Sequence, residues 1–161
     1  MQDSVVAPQV QFAGKVETGG QFPNTIISRI GSEAIGFGIA ASILAVTDLT
    51  YGGQSCALPT LDADVNAPQL LGIAIADTSK EEVDGVGTWA HEDSVSILKN
   101  GQIWVEVAAA ITSLALPVCI EHTDGTFDVA VAGDFLACTS MKWIAYEAVG
   151  GVHYGLVQVD L

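Results

Sequence analysis

Basic side chains are what this sequence has least of. Five Lys and Arg stand against nineteen Asp and Glu in 161 residues, a formal charge of −14. Such a surface repels a phosphate backbone instead of releasing its counterions, so direct binding to nucleic acid is not expected. Only four of the cations are Lys, the residue with which sheet proteins commonly guard an exposed edge. Any sheet edge is therefore expected to be covered, by another copy or by a larger surface. Cysteine is scarce as well. Cys56, Cys119 and Cys138 are an odd number, none at a CxxC or other metal-ligand spacing, and read as buried thiols made in a reducing compartment, with no metal bound. Long apolar runs are missing: the longest, Ala34 to Val46, is interrupted by Gly and Ser and falls short of the roughly 20 residues that cross a bilayer. No membrane partner is expected. The opening MQDSVVAPQVQ has an acid at Asp3, no basic cluster and no apolar core, so it does not read as a signal peptide.

Catalytic signatures are absent too. There is no GxSxG, HExxH, P-loop or dinucleotide fingerprint. A catalytic reading needs a nucleophile beside a base, or carboxylates in contrasting surroundings, or metal ligands. The nearest candidate is His91-Glu92-Asp93, whose members would point to opposite faces of a strand and prove nothing on a loop. His122 and His153 lie in or beside turns and read as surface or satisfied side chains. The expectation is a non-enzyme with no catalytic residues and no cofactor.

What is present is β text. Ser94 to Val107, SVSILKNGQIWVEV, places Asn100-Gly101 between two Val/Ile-rich runs, a strong short-range hairpin signal. A two-residue loop would leave large apolar groups on both faces. A three-residue loop of Lys99, Asn100 and Gly101 pairs Ile97 with Ile103 and Val95 with Val105, collecting Val95, Ile97, Ile103, Val105 and Val107 on one face. The other face keeps Ser94, Ser96, Gln102 and Glu106 together with Leu98 and Trp104. Those last two are either half-exposed side chains of the ordinary kind or a contact with another subunit.

Elsewhere, Thr25 to Val46 reads as a strand, a Gly31-Ser32 turn and a Gly-punctuated second run, with Ile39 to Val46 alone compatible with a helix. Cys56 to Leu58 is a brief strand, and LLGIAIAD, Leu70 to Asp77, a fully buried one. Thr78 to Ala90 is a solvated acidic loop ended by Trp89, a plug over the core. A two-residue Asp124-Gly125 hairpin sets Ile120 against Val129 and Val118 against Val131, with Pro117 marking an edge or a bulge. A final pair, Met141 to Ala148 and Val152 to Leu161, turns through Gly150-Gly151, which stitches the C-terminus into the sheet. Residues 1–24, with Pro8 and Pro23 and no helical period, read as an extended arm anchored by Phe12 and Phe22, or else as a strand of the same sheet. The expectation is all-β: a small barrel or sandwich of short antiparallel strands, residues 25–161 forming a single β domain behind an extended N-terminal arm.

The order TIISRIGSEAIGFGIAA, LLGIAIAD before an acidic loop, VSILKNGQIWVEV, then a strand and a DG turn in VCIEHTDGTF resembles the tailed-phage capsid decoration, or cement, proteins over about four fifths of the chain. Members often carry a Gly-Asp turn where this chain has SLALPVCI. The resemblance implies a virion protein made in the host cytoplasm, sitting on the outer surface of an expanded icosahedral head. There it would bind the major capsid protein and lock neighbouring subunits, as a homotrimer or alternatively a dimer. Phe12, Phe22, Leu98 and Trp104 are then the expected capsid or subunit contacts. A carbohydrate-binding or adhesin-like β module, stacking sugars on Trp89, Trp104 and Trp143, is the competing reading.

Overall fold

Strand-forming text at this density folds as sheet nearly throughout. A computed structural model describes residues 13–17, 24–43, 53–60, 62–66, 68–77 and 87–161. The strands are β1 (Val16–Glu17), β2 (Thr25–Gly31), β3 (Ile35–Gly36), β4 (Ala40–Ser42), β5 (Ser55–Cys56), β6 (Leu70–Ala74), β7 (Thr88–Trp89), β8 (Ser94–Val107), β9 (Cys119–Glu121), β10 (Phe127–Asp128), β11 (Phe135–Ala137), β12 (Met141–Val149) and β13 (Val152–Asp160). Asp62–Val65 forms a 3-10 turn. Eleven strands share one mixed sheet, and β3 and β7 pair separately. The arrangement is all-β and sandwich-like, and it does not close into a barrel.

The expected hairpin at Asn100-Gly101 does not form: β8 runs straight through it as one strand of 14 residues. The expected three-residue loop would put Gly101 in the left-handed region, near φ of about +60. Here Gly101 has φ +134 and Asn100 is not in the left-handed region. The two halves of β8 do not pair with each other because other strands take their hydrogen bonds. Along one border lie β2 against Ser94–Asn100, β1 against Gln102 and Ile103, and β10 against Val107. Along the other lie β6 against Ile97 and Leu98, and β13 against Asn100–Val107.

The Lys-Asn-Gly signal marks a kink instead. Thr25 pairs with Asn100 while Ile26 pairs with Leu98, so Lys99 is an extra residue, a bulge. A bulge exchanges the faces of the residues beyond it. Leu98 therefore joins Ile103, Val105 and Val107 in the main core, while Val95 and Ile97 face a second cluster with Ile35, Ala74 and Trp89. The main core is completed by Val118, Ile120, Phe127, Trp143, Val157 and Val159.

Other elements follow their local chemistry. β12 and β13 meet through a two-residue Gly150-Gly151 turn with both φ values positive, Val149 opposite Val152. Asp160 pairs with Asn100 and the Leu161 amide donates to the Lys99 carbonyl, so the C-terminus is woven into the sheet. The Asp124-Gly125 hairpin exists with a longer loop. Phe127 sits opposite Ile120 and Asp128 opposite Cys119, two residues short of the expected register. Because the slip is an even number, Ile120 keeps its core-facing side. The Asp124 carboxylate explains the longer loop, since its Oδ1 accepts from the Thr126 amide at 2.9 Å and hydroxyl at 2.7 Å. Pro117 precedes β9, which is paired on both sides, so it marks neither an edge nor a bulge. β6 is the buried strand expected of LLGIAIAD, and Ala40–Ser42 is strand, not helix.

Candidate interaction surface

Among the described residues, the groups open to a partner are the polar and apolar side chains that the sheet leaves at its surface. The residues expected to contact another subunit fall into two sets. Phe12 and Phe22 lie outside the described residues. Leu98 and Trp104 are covered by this chain itself, at 0% and 6% exposure. The bulge at Lys99 turns Leu98 inward, and Trp104 is held by a pair of backbone bonds to the segment beside it on the β1 border. Its amide donates to the Lys15 carbonyl, its carbonyl accepts from Gly14, and its indole Nε1 donates to Glu17 Oε2 at 3.2 Å. Those partners belong to residues 13–17, the described part of the stretch read as an arm, which lies in the sheet as β1. The half-exposed pair read from the sequence is thus an interior pair.

The tryptophans needed for sugar stacking are also interior. Trp89 is 6% exposed and donates its indole N–H to the Ile75 carbonyl at 2.9 Å, with Phe37 packed edge-on at 6.0 Å. Trp143 is 3% exposed and donates to the Pro117 carbonyl at 3.0 Å. A stacking platform needs an open ring face, and none of the three offers one. Trp89 has the plug role its position in the sequence indicated.

The histidines are structural in placement. His91 is exposed in a turn closed by Asp93, whose Oδ2 accepts from the Ala90 amide at 2.8 Å, with Glu92 at φ +67. His153 Nδ1 lies 2.7 Å from the Tyr146 hydroxyl in the β12–β13 hairpin. His122 joins three loops, its Nε2 standing 3.6 Å from Asp62 and 3.4 Å from Asp134. Sequence reading could not find this trio, because 72 residues separate its acids (134 minus 62) and no periodicity links them. Asn66 makes a similar clip. Its Oδ1 accepts from the Thr139 amide at 3.0 Å and its Nδ2 donates to the Ala137 carbonyl at 3.3 Å.

The three thiols are free and buried. Burial pushes Cys56 up to about 12, and burial likewise raises Cys119 and Cys138. A thiol held neutral is a poor nucleophile. A surface groove of ≈ 730 Å³ runs between the ends of β2, β12 and β13 and the middle of β8 and is lined by Thr25, Asn100, Lys142, Gln158 and Asp160. It holds one cation and one acid and no paired acid–base set.

Besides the short strands β1, β4 and β5, three borders of the sheet stand out among the described residues. β11 is three residues long and its Ala137 carbonyl is already taken by Asn66. β2 is paired on its outer side only at Ile30 and Gly31. β12, nine residues long, pairs with β13 alone and is otherwise open among the described residues.

Comparison with known proteins agrees with a role made of surfaces. The family model described as structural cement protein (E217 gp24/Pam3 gp6) matches residues 1–161. Among solved structures, a chain from "The capsid of Myoviridae Phage XM1" superposes with a TM-score of 0.70 at 20% identity, over 97% of this chain and 95% of that one. At that identity the likeness establishes the fold. No curated protein matches the chain.

Proposed function

As this chain belongs to the structural cement protein family of phage particles, we propose that it binds the outer surface of an expanded icosahedral head and holds neighbouring major capsid subunits together. The observation that carries this reading is the family match over all 161 residues. Three features support it. The thiols and indoles are spent on the fold, buried or interior, and His122 is taken up by two loop carboxylates. The charge of −14 suits an exterior that keeps finished particles apart and soluble. The spine strand β8 gathers β1, β2, β6, β10 and β13 around one rigid axis, which transmits load between bound neighbours.

Contacts to several coat subunits at once would gain by multivalency, each raising the effective concentration of the next. Phe12 and Phe22, which flank the Val16–Glu17 strand in sequence, are the proposed arm contacts. Leu98 and Trp104 support such contacts from within and do not make them. Free thiols at Cys56, Cys119 and Cys138 fit synthesis in the reducing cytoplasm of the host.

The test is to add purified protein to undecorated expanded heads and image them. Saturable, symmetric density on the exterior supports the proposal. A folded protein that stays in solution at micromolar concentration overturns it.

A further inference from the structure

The face of the sheet turned away from the main core carries a row of side chains that belong to neither apolar cluster. The register fixes it strand by strand. Phe135 of β11 lies opposite Glu121 of β9, Glu106 of β8 opposite Tyr154 of β13, and Tyr154 opposite Glu147 of β12. β10 fills the gap between β9 and β8. Its Phe127 pairs with Ile120 and Val107, which face the core, so their neighbours Glu121 and Glu106 face the other way. Thr126 completes the row, its hydroxyl donating to Glu121 Oε2 at 3.1 Å.

The carboxylates of Glu121, Glu106 and Glu147 therefore recur on every second strand, about 10 Å apart. None of the three has an ion-pair partner among the described residues. Glu121 is also held on Oε1 by the Thr123 hydroxyl at 2.7 Å, whereas Glu106 is exposed and its carboxylate accepts no hydrogen bond among the described residues. Burial, and after it the Glu106 charge, raise the Tyr154 phenol above its ordinary pKa, so ring and carboxylate lie within one another's field. Beside Glu106 and Glu121 the row opens into a groove of ≈ 390 Å³, walled by Phe37 and Ile39 from between β3 and β4 and by Phe135 from β11. Both Phe rings are half-buried.

We propose that this groove and row receive a basic, extended segment of the major capsid protein, with an apolar side chain seated against Phe37, Ile39 and Phe135 and Lys or Arg side chains set on Glu121, Glu106 and Glu147. The inference rests on the capsid reading above and names the surface of this chain that meets the coat. Charge complementarity selects the occupant. A second copy brings a further net charge of −14, and a neutral apolar segment would cover three carboxylates without pairing them. A guanidinium over Tyr154 gains by stacking on the ring as well as by bonding to Glu106. A segment in polyproline II geometry returns to the same side every three residues, about 9 Å, so basic residues three apart meet successive acids.

The test titrates the full chain onto undecorated expanded heads at low salt, with circular dichroism to confirm that each variant is folded. Glu106→Gln should weaken binding by about threefold or more and Glu106→Lys by about tenfold or more. Asp160→Lys makes the same change of charge at the exposed far end of β13 and should bind within about twofold of wild type. A second view needs no substitution: carbodiimide coupling of glycine amide should modify Glu106 and Glu147 in the free protein and spare them on the head. Glu106 variants that bind as well as wild type, an Asp160→Lys protein weakened as much as Glu106→Lys, or equal labelling free and bound overturns the proposal and leaves head binding standing. A wild type that does not bind heads overturns the capsid reading and this proposal with it.

Discussion

Replacing Gly72 with Ala should be among the most damaging single-methyl changes this chain can receive, and Gly101→Ala provides the internal control. Both glycines have extended but right-of-zero φ values, +145 and +134, that side-chain-bearing residues rarely adopt. The strain of such a backbone is of order 1–3 kcal/mol for either substitution. What the new Cβ meets differs. At Gly101 it meets the side-chain amide of Asn24, an exposed residue that can swing away. At Gly72 it meets the Leu98 carbonyl, with the Leu98 carbonyl carbon at 2.8 Å and the Ile97 Cγ2 at 2.9 Å. Here β6 crosses β8, and relief requires the two strands to part where Ile73 pairs with Leu98 and Ala74 with Ile97, all four fully buried. Overpacking a core costs about 1–3 kcal/mol even when side chains can adjust, and here one partner is backbone. Gly72→Ala should therefore lose about 2–6 kcal/mol, about 1–3 kcal/mol more than Gly101→Ala, against a total of about 5–15 kcal/mol for a domain. Urea titration followed by tryptophan fluorescence measures both. Equal losses, or a Gly72→Ala protein within about 1 kcal/mol of wild type, would refute the close approach of β6 to β8.

Truncation after Val157 removes the Val159 side chain, fully buried, and the pairs that join β13 to Gly101 and Asn100; it should cost at least about 2 kcal/mol by urea titration. Trp89→Phe keeps the plug and loses the bond to the Ile75 carbonyl, so a loss of about 1 kcal/mol is expected in the same assay. With its thiol pushed up to about 12 from an ordinary 9.0, Cys56 should alkylate at pH 8 about a thousandfold more slowly in the native protein than in urea. The same shift has a sign for stability. The folded state prefers the neutral thiol, so its contribution is whole below pH 9 and is lost as pH rises from 9 toward about 12. A denaturation midpoint that is flat across that interval would contradict the burial of Cys56.

The sequence showed where the centre of the fold lies and misread its form. Ser94–Val107 is the strand that five others contact, yet Asn100-Gly101 reads as a turn because local chemistry carries no information about which strands will claim the flanking hydrogen bonds. Once β2 and β13 take opposite borders at Asn100, the same residues relieve a bulge. That single difference also exchanges the faces, which is why Leu98, expected either half-exposed or at a subunit contact, is interior. Gly150-Gly151 was legible because nothing competes for β12 and β13: they are neighbours in sequence and in the sheet. The Asp124 loop was legible in place and not in length, since its carboxylate bonds to Thr126 favour a wider turn than the dipeptide alone indicates. The clips made by His122 and Asn66 reach across tens of residues with no period to reveal them.

The central claim is that this protein acts by holding a phage head together, and differential scanning calorimetry of purified expanded heads measures that directly. Heads saturated with the protein should rupture at a higher temperature than bare heads, with the rise growing with occupancy and levelling off when sites are full. Bound protein that leaves the rupture temperature unchanged at full occupancy would contradict the claim.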